Sequence, residues 1–72
     1  MTKPAAVFEL QTYDYSANAW QTVDTYDTAA DSRAEGNAYF DYRVHLAAGP
    51  TRLLKGGVTD LGYDNPDDYY DR

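Results

Sequence analysis

The stretch that decides the fold is Trp20 to Leu46, WQTVDTYDTAADSRAEGNAYFDYRVHL, which predicts a strand, a helix and a second strand. We predict the helix over residues 29–39. Thr28, followed three residues later by Asp31, has the pattern of a capping box, and Asp27 is a second candidate cap. Small apolar residues then recur with a spacing of four, at Ala30, Ala34 and Ala38. Such a stripe would let the helix lie close to a sheet.

After residue 39 the sequence changes from a helical period to an alternation of apolar and polar residues. The apolar positions of this alternation are Phe40, Tyr42, Val44 and Leu46. A period of two is typical of a strand with one buried face. The sequence therefore predicts a strand over residues 40–46, with its apolar face against the alanine stripe and its charged face in water.

Two strands are predicted before the helix, joined by a hairpin loop. Val7 to Tyr13 alternates, and residues 14–18, DYSAN, are typical of a turn. The next strand, from Trp20 to about Thr25, alternates poorly. Either a β-bulge near residues 22–24 or a position at the edge of the sheet would explain this.

A turn at residues 47–50 follows, and then a short candidate strand over 51–55 that Gly56 and Gly57 end. The predicted fold is an α+β domain over residues 1–57, with the order ββαββ and one helix packed on a small antiparallel sheet. The remainder, 58–72, reads VTDLGYDNPDDYYDR, and its proline and aspartates argue against regular structure. It is either a disordered acidic, tyrosine-rich tail or an arm that docks its tyrosines on a partner.

The composition favours a binding protein over an enzyme or a metalloprotein. The chain has 72 residues, no cysteine and one histidine, so we expect one domain without disulfide, structural zinc or cofactor. No nucleophile has a base beside it, so we expect no enzyme. Asp64 to Asp68 is rich in oxygen ligands but lacks the spacing of a calcium loop. A core this small would gain stability from a homodimer.

The formal charge of −6 argues against direct nucleic-acid binding, because phosphates must be neutralised by lysine and arginine. The charge suits a basic partner, or it serves solubility alone. The sequence shows no signal peptide and no membrane-spanning stretch, so we expect a cytoplasmic protein.

Eight tyrosines are unusual in a chain of this length. Strand propensity explains Tyr13, Tyr26 and Tyr42, but it does not explain the tyrosines that stand among aspartates after residue 58. Tyrosine is common at protein interfaces. The predicted partner-binding residues are therefore Asp60, Tyr63, Asp64, Asp67, Asp68, Tyr69, Tyr70 and Asp71.

Carboxylates among aromatic rings can also imitate nucleic acid, with acids in place of phosphates and rings in place of bases. Further acids on the body could extend such a surface: Asp14, Asp24, Asp27, Asp31, Glu35 and Asp41.

In its size, acidity, tyrosine-rich segment Asp60–Arg72 and ββαββ body, the chain resembles small phage-encoded inhibitors, including anti-CRISPR proteins. The resemblance implies a DNA-mimicking inhibitor in the host bacterial cytoplasm. Its partner would be a basic protein or nucleoprotein complex, such as a CRISPR effector. The alternative is a generic interaction module or homodimeric assembly module, whose acids serve only solubility.

Overall fold

The computed structural model describes residues 6–70 and contains four strands and one α-helix in that range. The elements are β1 (Val7–Asp14), β2 (Ala19–Asp27), α1 (Ala34–Leu46), β3 (Thr51–Lys55) and β4 (Val58–Leu61), followed by a single-turn 3₁₀ helix (Pro66–Tyr69). The predicted α+β class and the order ββαββ are confirmed. No helix within the described range is long and apolar enough to cross a membrane.

The sheet is antiparallel throughout, in the order β2-β1-β3-β4. The hairpin before the helix therefore joins the hairpin after it through β1 and β3, where Leu10 pairs with Leu53. This leaves β2 and β4 at the two edges.

The poor alternation of β2 has both of the predicted causes. Leu10 of β1 pairs with Asp24, but Gln11 pairs with Thr22, so that Val23 has no partner and bulges out. β2 is also an edge strand. The bulge shifts the phase, which lets Tyr26 face the helix while Trp20 lies on the opposite face of the sheet.

The core lies between α1 and one face of the sheet. The sheet contributes Phe8, Leu10, Tyr26 and Leu53, and the helix contributes Ala34, Ala38 and Tyr42. The two alanines of the predicted stripe that lie in α1 are fully covered, and their small side chains bring the helix close to the large residues of β1 and β3.

The prediction of a strand over residues 40–46 is wrong, because these residues are the second half of α1. Tyr42 is buried and Leu46 packs against the core, whereas Phe40 and Val44 point away from it. Each pair has the helical spacing of four, on opposite sides of the helix. Two such rows, offset by two residues, produce the same alternation as a strand.

The predicted helix start at residue 29 is also wrong, since α1 begins at Ala34. The preceding residues form turns in which the Asp27 carboxylate accepts the Ala29 amide and the Asp31 carboxylate accepts the Arg33 amide. The Thr28 hydroxyl bonds to the backbone of Ala6 instead of capping a helix. Each of these carboxylates accepts the amide two residues later and so closes a local turn. Aspartates in such turns and aspartates at a helix start give the same sequence pattern, so the pattern alone does not distinguish them.

The predicted strand over 51–55 is confirmed as β3, but the residues after it are more regular than predicted. Val58–Leu61 pairs with β3 as β4, through a turn in which Gly56 and Gly57 have positive φ. The 3₁₀ helix begins where the Asn65 side chain accepts the Asp67 amide.

Candidate partner-binding surface

The segment after β4, residues 62–70, packs against the body of the domain. The backbone carbonyl of Asp64 accepts a hydrogen bond from Trp20 Nε1 at 3.1 Å. Its carboxylate forms an ion pair with Arg52 at 3.2 Å and accepts a bond from the Thr59 hydroxyl. Arg52 in turn lies 4.4 Å above the Trp20 ring and donates to Gln11. Asp64 therefore anchors the segment to the face of the sheet opposite the helix.

Gly62 allows the segment to turn onto the sheet. Its φ is +93°, a region that L side chains rarely adopt. A Cβ at this position would lie only 2.6 Å from the Thr51 carbonyl oxygen. The path of the chain from β4 to Asp64 therefore requires glycine here.

Tyr69 fixes the far end of the segment. Its hydroxyl donates to the Leu46 carbonyl at the C-terminal end of α1, where helix carbonyls lack partners within the helix. The Tyr69 and Tyr70 rings meet edge to face, with centroids 5.1 Å apart. Anchors at both ends hold the 3₁₀ helix across one end of the sheet.

The structure divides the predicted binding residues into two groups. Three of them have partners within the domain: Asp64 and Tyr69 in the anchors above, and Asp60, which accepts the Tyr39 hydroxyl at 3.1 Å. The other described members, Tyr63, Asp67, Asp68 and Tyr70, are exposed and form no ion pair between residues 6 and 70. Asp71 lies outside the described residues.

Tyr15 belongs to the same surface, although the sequence pattern did not single it out. Its hydroxyl is close enough to Tyr70 for that residue to raise the pKa of Tyr15, and its ring meets the Tyr13 ring edge to face at 4.9 Å. Tyr13 meets Trp20 in the same way at 5.3 Å. The position of Tyr15 in the predicted β1–β2 loop indicates an exposed side chain. Nothing in the sequence, however, places that loop beside residue 70.

A groove of about 400 Å³ opens between the hairpin loop and the end of α1. Its walls include Tyr13, Tyr15, Tyr70 and His45. His45, which belongs to the polar side of residues 40–46 that was expected to lie in water, is half-buried, with Nδ1 2.9 Å from the Asp41 carbonyl oxygen. Three tyrosines thus line the groove together with His45 and with small residues of the turn before β3.

The charge around this groove is negative. Between Ala6 and Tyr70 the ion pairs are Arg52–Asp64 and Arg33–Asp31, so neither Asp67 nor Asp68 is neutralised by a base. The pKa of Tyr15 is raised to about 12 by desolvation and by the neighbouring Tyr70, with a contribution from the charge of Asp67. Exposed carboxylates and tyrosine rings therefore lie within reach of one another.

No protein family matches this chain, and comparisons with curated proteins and with solved structures find no significant match. Function is therefore inferred from the geometry and charge of the chain itself.

We expect the fold to lose stability in alkali, because three tyrosines have raised pKa values in the folded state. Burial and the hydrogen bond to Asp41 raise the pKa of Tyr26, burial and Asp60 raise that of Tyr39, and the pKa of Tyr15 is raised as well. Unfolded tyrosines ionise near pH 10, before the folded ones. The stability that these groups contribute is complete below that pH and is lost as the pH rises towards the folded pKa values.

Chemical denaturation between about pH 8 and pH 11 would measure this loss, with phenolate absorbance reporting ionisation. In Tyr26→Phe the free energy of unfolding should decline less steeply with rising pH than in the wild-type chain. A midpoint that stays constant over this range would contradict the assignment of these hydrogen bonds.

Proposed function

We propose that the protein is a non-enzymatic inhibitor that binds a basic, nucleic-acid-handling partner. Its binding surface, which we call the Tyr–Asp surface, consists of Tyr15, Tyr63, Asp67, Asp68 and Tyr70. A CRISPR effector or a similar bacterial defence complex is the kind of partner that fits. The observation that carries the proposal is the pair of unneutralised carboxylates beside exposed tyrosines, on a segment fixed at both ends.

The first supporting argument is preorganisation. A flexible acidic tail would have to be ordered when it binds, at a cost of about 0.5–1.5 kcal/mol for each side chain immobilised. Here Gly62, Asp64 and Tyr69 already hold the segment in place. Asp67 and Asp68 then present two adjacent charges to a partner whose own surface is shaped to hold phosphates.

The second argument is the aromatic groove. A lysine or arginine side chain from the partner could lie against the faces of Tyr13, Tyr15 and Tyr70, where the ring electrons attract a cation. The same kind of contact exists within the chain, between the Arg52 guanidinium and the Trp20 ring. Asp67 would add a charge at the rim of the groove.

The partner can be sought in a bacterial lysate by affinity capture at about 0.05 M and about 0.5 M salt, followed by mass spectrometry. Exposed charges are strongly screened at the higher concentration. We expect one basic, nucleic-acid-handling complex to be captured at low salt, to be lost at high salt, and to be displaced by added double-stranded DNA. Capture that is indifferent to both salt and DNA would contradict the proposal.

The double variant Asp67→Asn, Asp68→Asn is expected to weaken binding to that complex about tenfold at low salt, since each well-placed charge pair contributes roughly 0.5–1 kcal/mol. The matched control is Asp24→Asn with Asp27→Asn, which removes the same charge from exposed positions of β2. Equal losses of affinity in the two double variants would mean that net charge alone attracts the partner. The affinities can be compared by surface plasmon resonance across a salt series.

A further inference from the structure

The helix has a second apolar face that the domain leaves uncovered. Phe40 is 63% exposed and Val44 is 55% exposed, and Gly36 precedes them with the same spacing of four residues. These three residues form a ridge on the side of α1 that is turned away from the sheet, which we call the outer ridge. In a domain of two layers a helix normally has a single apolar stripe, so a second stripe indicates a further contact.

Gly36 has no explanation within the domain. It lies inside α1, where glycine costs about 1 kcal/mol relative to alanine. A Cβ built at this position would meet nothing within 4 Å, so neither the sheet nor the rest of the described chain requires a glycine. Its effect is to leave a notch in the outer ridge, one turn of helix before the Phe40 ring.

We propose that the outer ridge binds the outer ridge of a second copy of the chain, in a two-fold symmetric homodimer. In such a contact the Phe40 ring of each copy enters the notch at Gly36 of the other, because a two-fold axis exchanges the two positions. Residues spaced by four form the ridges that interdigitate when two helices cross at about −50°. The groove of about 680 Å³ between the outer ridge and the neighbouring row of Tyr39 and Arg43 would receive the partner's ridge.

The charge distribution favours a second copy as the occupant. Two chains of charge −6 repel each other, so they would meet where the surface is least acidic. Beside the outer ridge stands Arg43, which is exposed. The acids of α1 are Glu35, which precedes Gly36 and offsets the charge of Arg43, and Asp41, which accepts a hydrogen bond from the Tyr26 hydroxyl at 2.6 Å. A basic partner of the kind proposed above would gain no charge attraction at this nearly neutral patch and would bind the acidic Tyr–Asp surface instead.

A contact between two single helices is smaller than the roughly 800 Å² per partner of a standard interface. We therefore expect a dimer that dissociates on dilution, with a dissociation constant on the order of micromolar. The Tyr–Asp surface is built from other elements, so each dimer would present it twice.

Analytical ultracentrifugation over a dilution series tests the proposal. The wild-type chain is expected to change from dimer to monomer, and Phe40→Glu is expected to stay monomeric, raising the dissociation constant at least tenfold. The matched control is Val58→Glu, which changes a side chain that is 70% exposed on the edge strand β4. Far-ultraviolet circular dichroism should show the same secondary structure in all three.

Gly36→Leu provides an independent measurement, because its effects on the monomer and on the dimer are opposite in sign. Leucine is a better helix former than glycine, so the diluted monomer should become more stable. The leucine side chain fills the notch, so the dimer should weaken severalfold. A wild-type chain that is monomeric throughout would overturn the proposal, as would a dimer that survives Phe40→Glu or Gly36→Leu. Loss of the dimer in Val58→Glu alone would show that the copies pair through strand edges instead.

The proposed dimer and the proposed function can be contradicted independently of each other. Asp67→Asn with Asp68→Asn should leave the dimer intact, and Phe40→Glu should still capture the nucleic-acid-handling partner.

Discussion

Phe8→Ala is expected to lower the free energy of unfolding by about 3–5 kcal/mol, the usual cost of removing a fully buried aromatic ring. Phe8 is 0% exposed and lies on the central strand β1, facing α1. Its ring meets that of Tyr39 edge to face at 5.7 Å, and the Lys55 ammonium lies 5.7 Å above it. A domain of this size has a total stability near the lower end of about 5–15 kcal/mol, so much of the variant population should be unfolded.

Urea denaturation followed by circular dichroism would measure the effect. The matched control is Phe40→Ala, which removes the same side chain from the exposed side of α1. At concentrations where the protein is monomeric, the control should change stability by less than about 0.5 kcal/mol. Equal losses from the two substitutions would show that the core does not lie between α1 and β1.

Gly62→Ala is expected to detach residues 62–70 from the sheet or to cost roughly 2–3 kcal/mol if they stay docked. A positive φ costs a residue with a Cβ about 1–2 kcal/mol. In addition, the new Cβ would lie 2.6 Å from the backbone oxygen of Thr51, in a strand that cannot easily move. Undocking would separate Asp64 from Trp20 and Arg52.

The fluorescence of Trp20, the only tryptophan of the chain, reports this change directly. We expect a shifted emission in Gly62→Ala while circular dichroism shows the helix retained, together with weaker partner capture. Gly36→Ala is the matched control, because its Cβ would point into open space and should raise stability by about 0.5–1 kcal/mol. If both alanines raise stability, the conformation at Gly62 is not as described.

The elements that the sequence predicts correctly depend on local signals. The β1–β2 loop contains turn residues, the irregular phase of β2 indicates a bulge, and Gly56 with Gly57 marks the end of β3. The extent of α1 could not be predicted in the same way. Its inner and outer apolar rows together imitate a strand, and only the position of the sheet shows which row is buried.

The predicted binding residues were chosen by composition, and composition cannot distinguish an exposed acid from an anchored one. Asp64 and Asp67 are three residues apart in the same acidic run and both are exposed, but Asp64 pairs with Arg52 while Asp67 has no ion-pair partner in the described range. The bond between Trp20 and Asp64 joins residues 44 positions apart. No local pattern encodes a contact of that kind, and the same holds for the meeting of Tyr15 with Tyr70.

The strand order also decides when during synthesis the domain can form. The β1–β2 hairpin closes locally, and a hairpin of this kind forms within microseconds. The centre of the sheet, however, requires β1 to pair with β3, whose Arg52 lies 41 positions after its contact Gln11. A nascent chain that has not yet released β3 from the ribosome therefore exposes one side of β1 as an open edge. We expect the sheet to close only after β3 has emerged, with the long separation between β1 and β3 setting the folding rate.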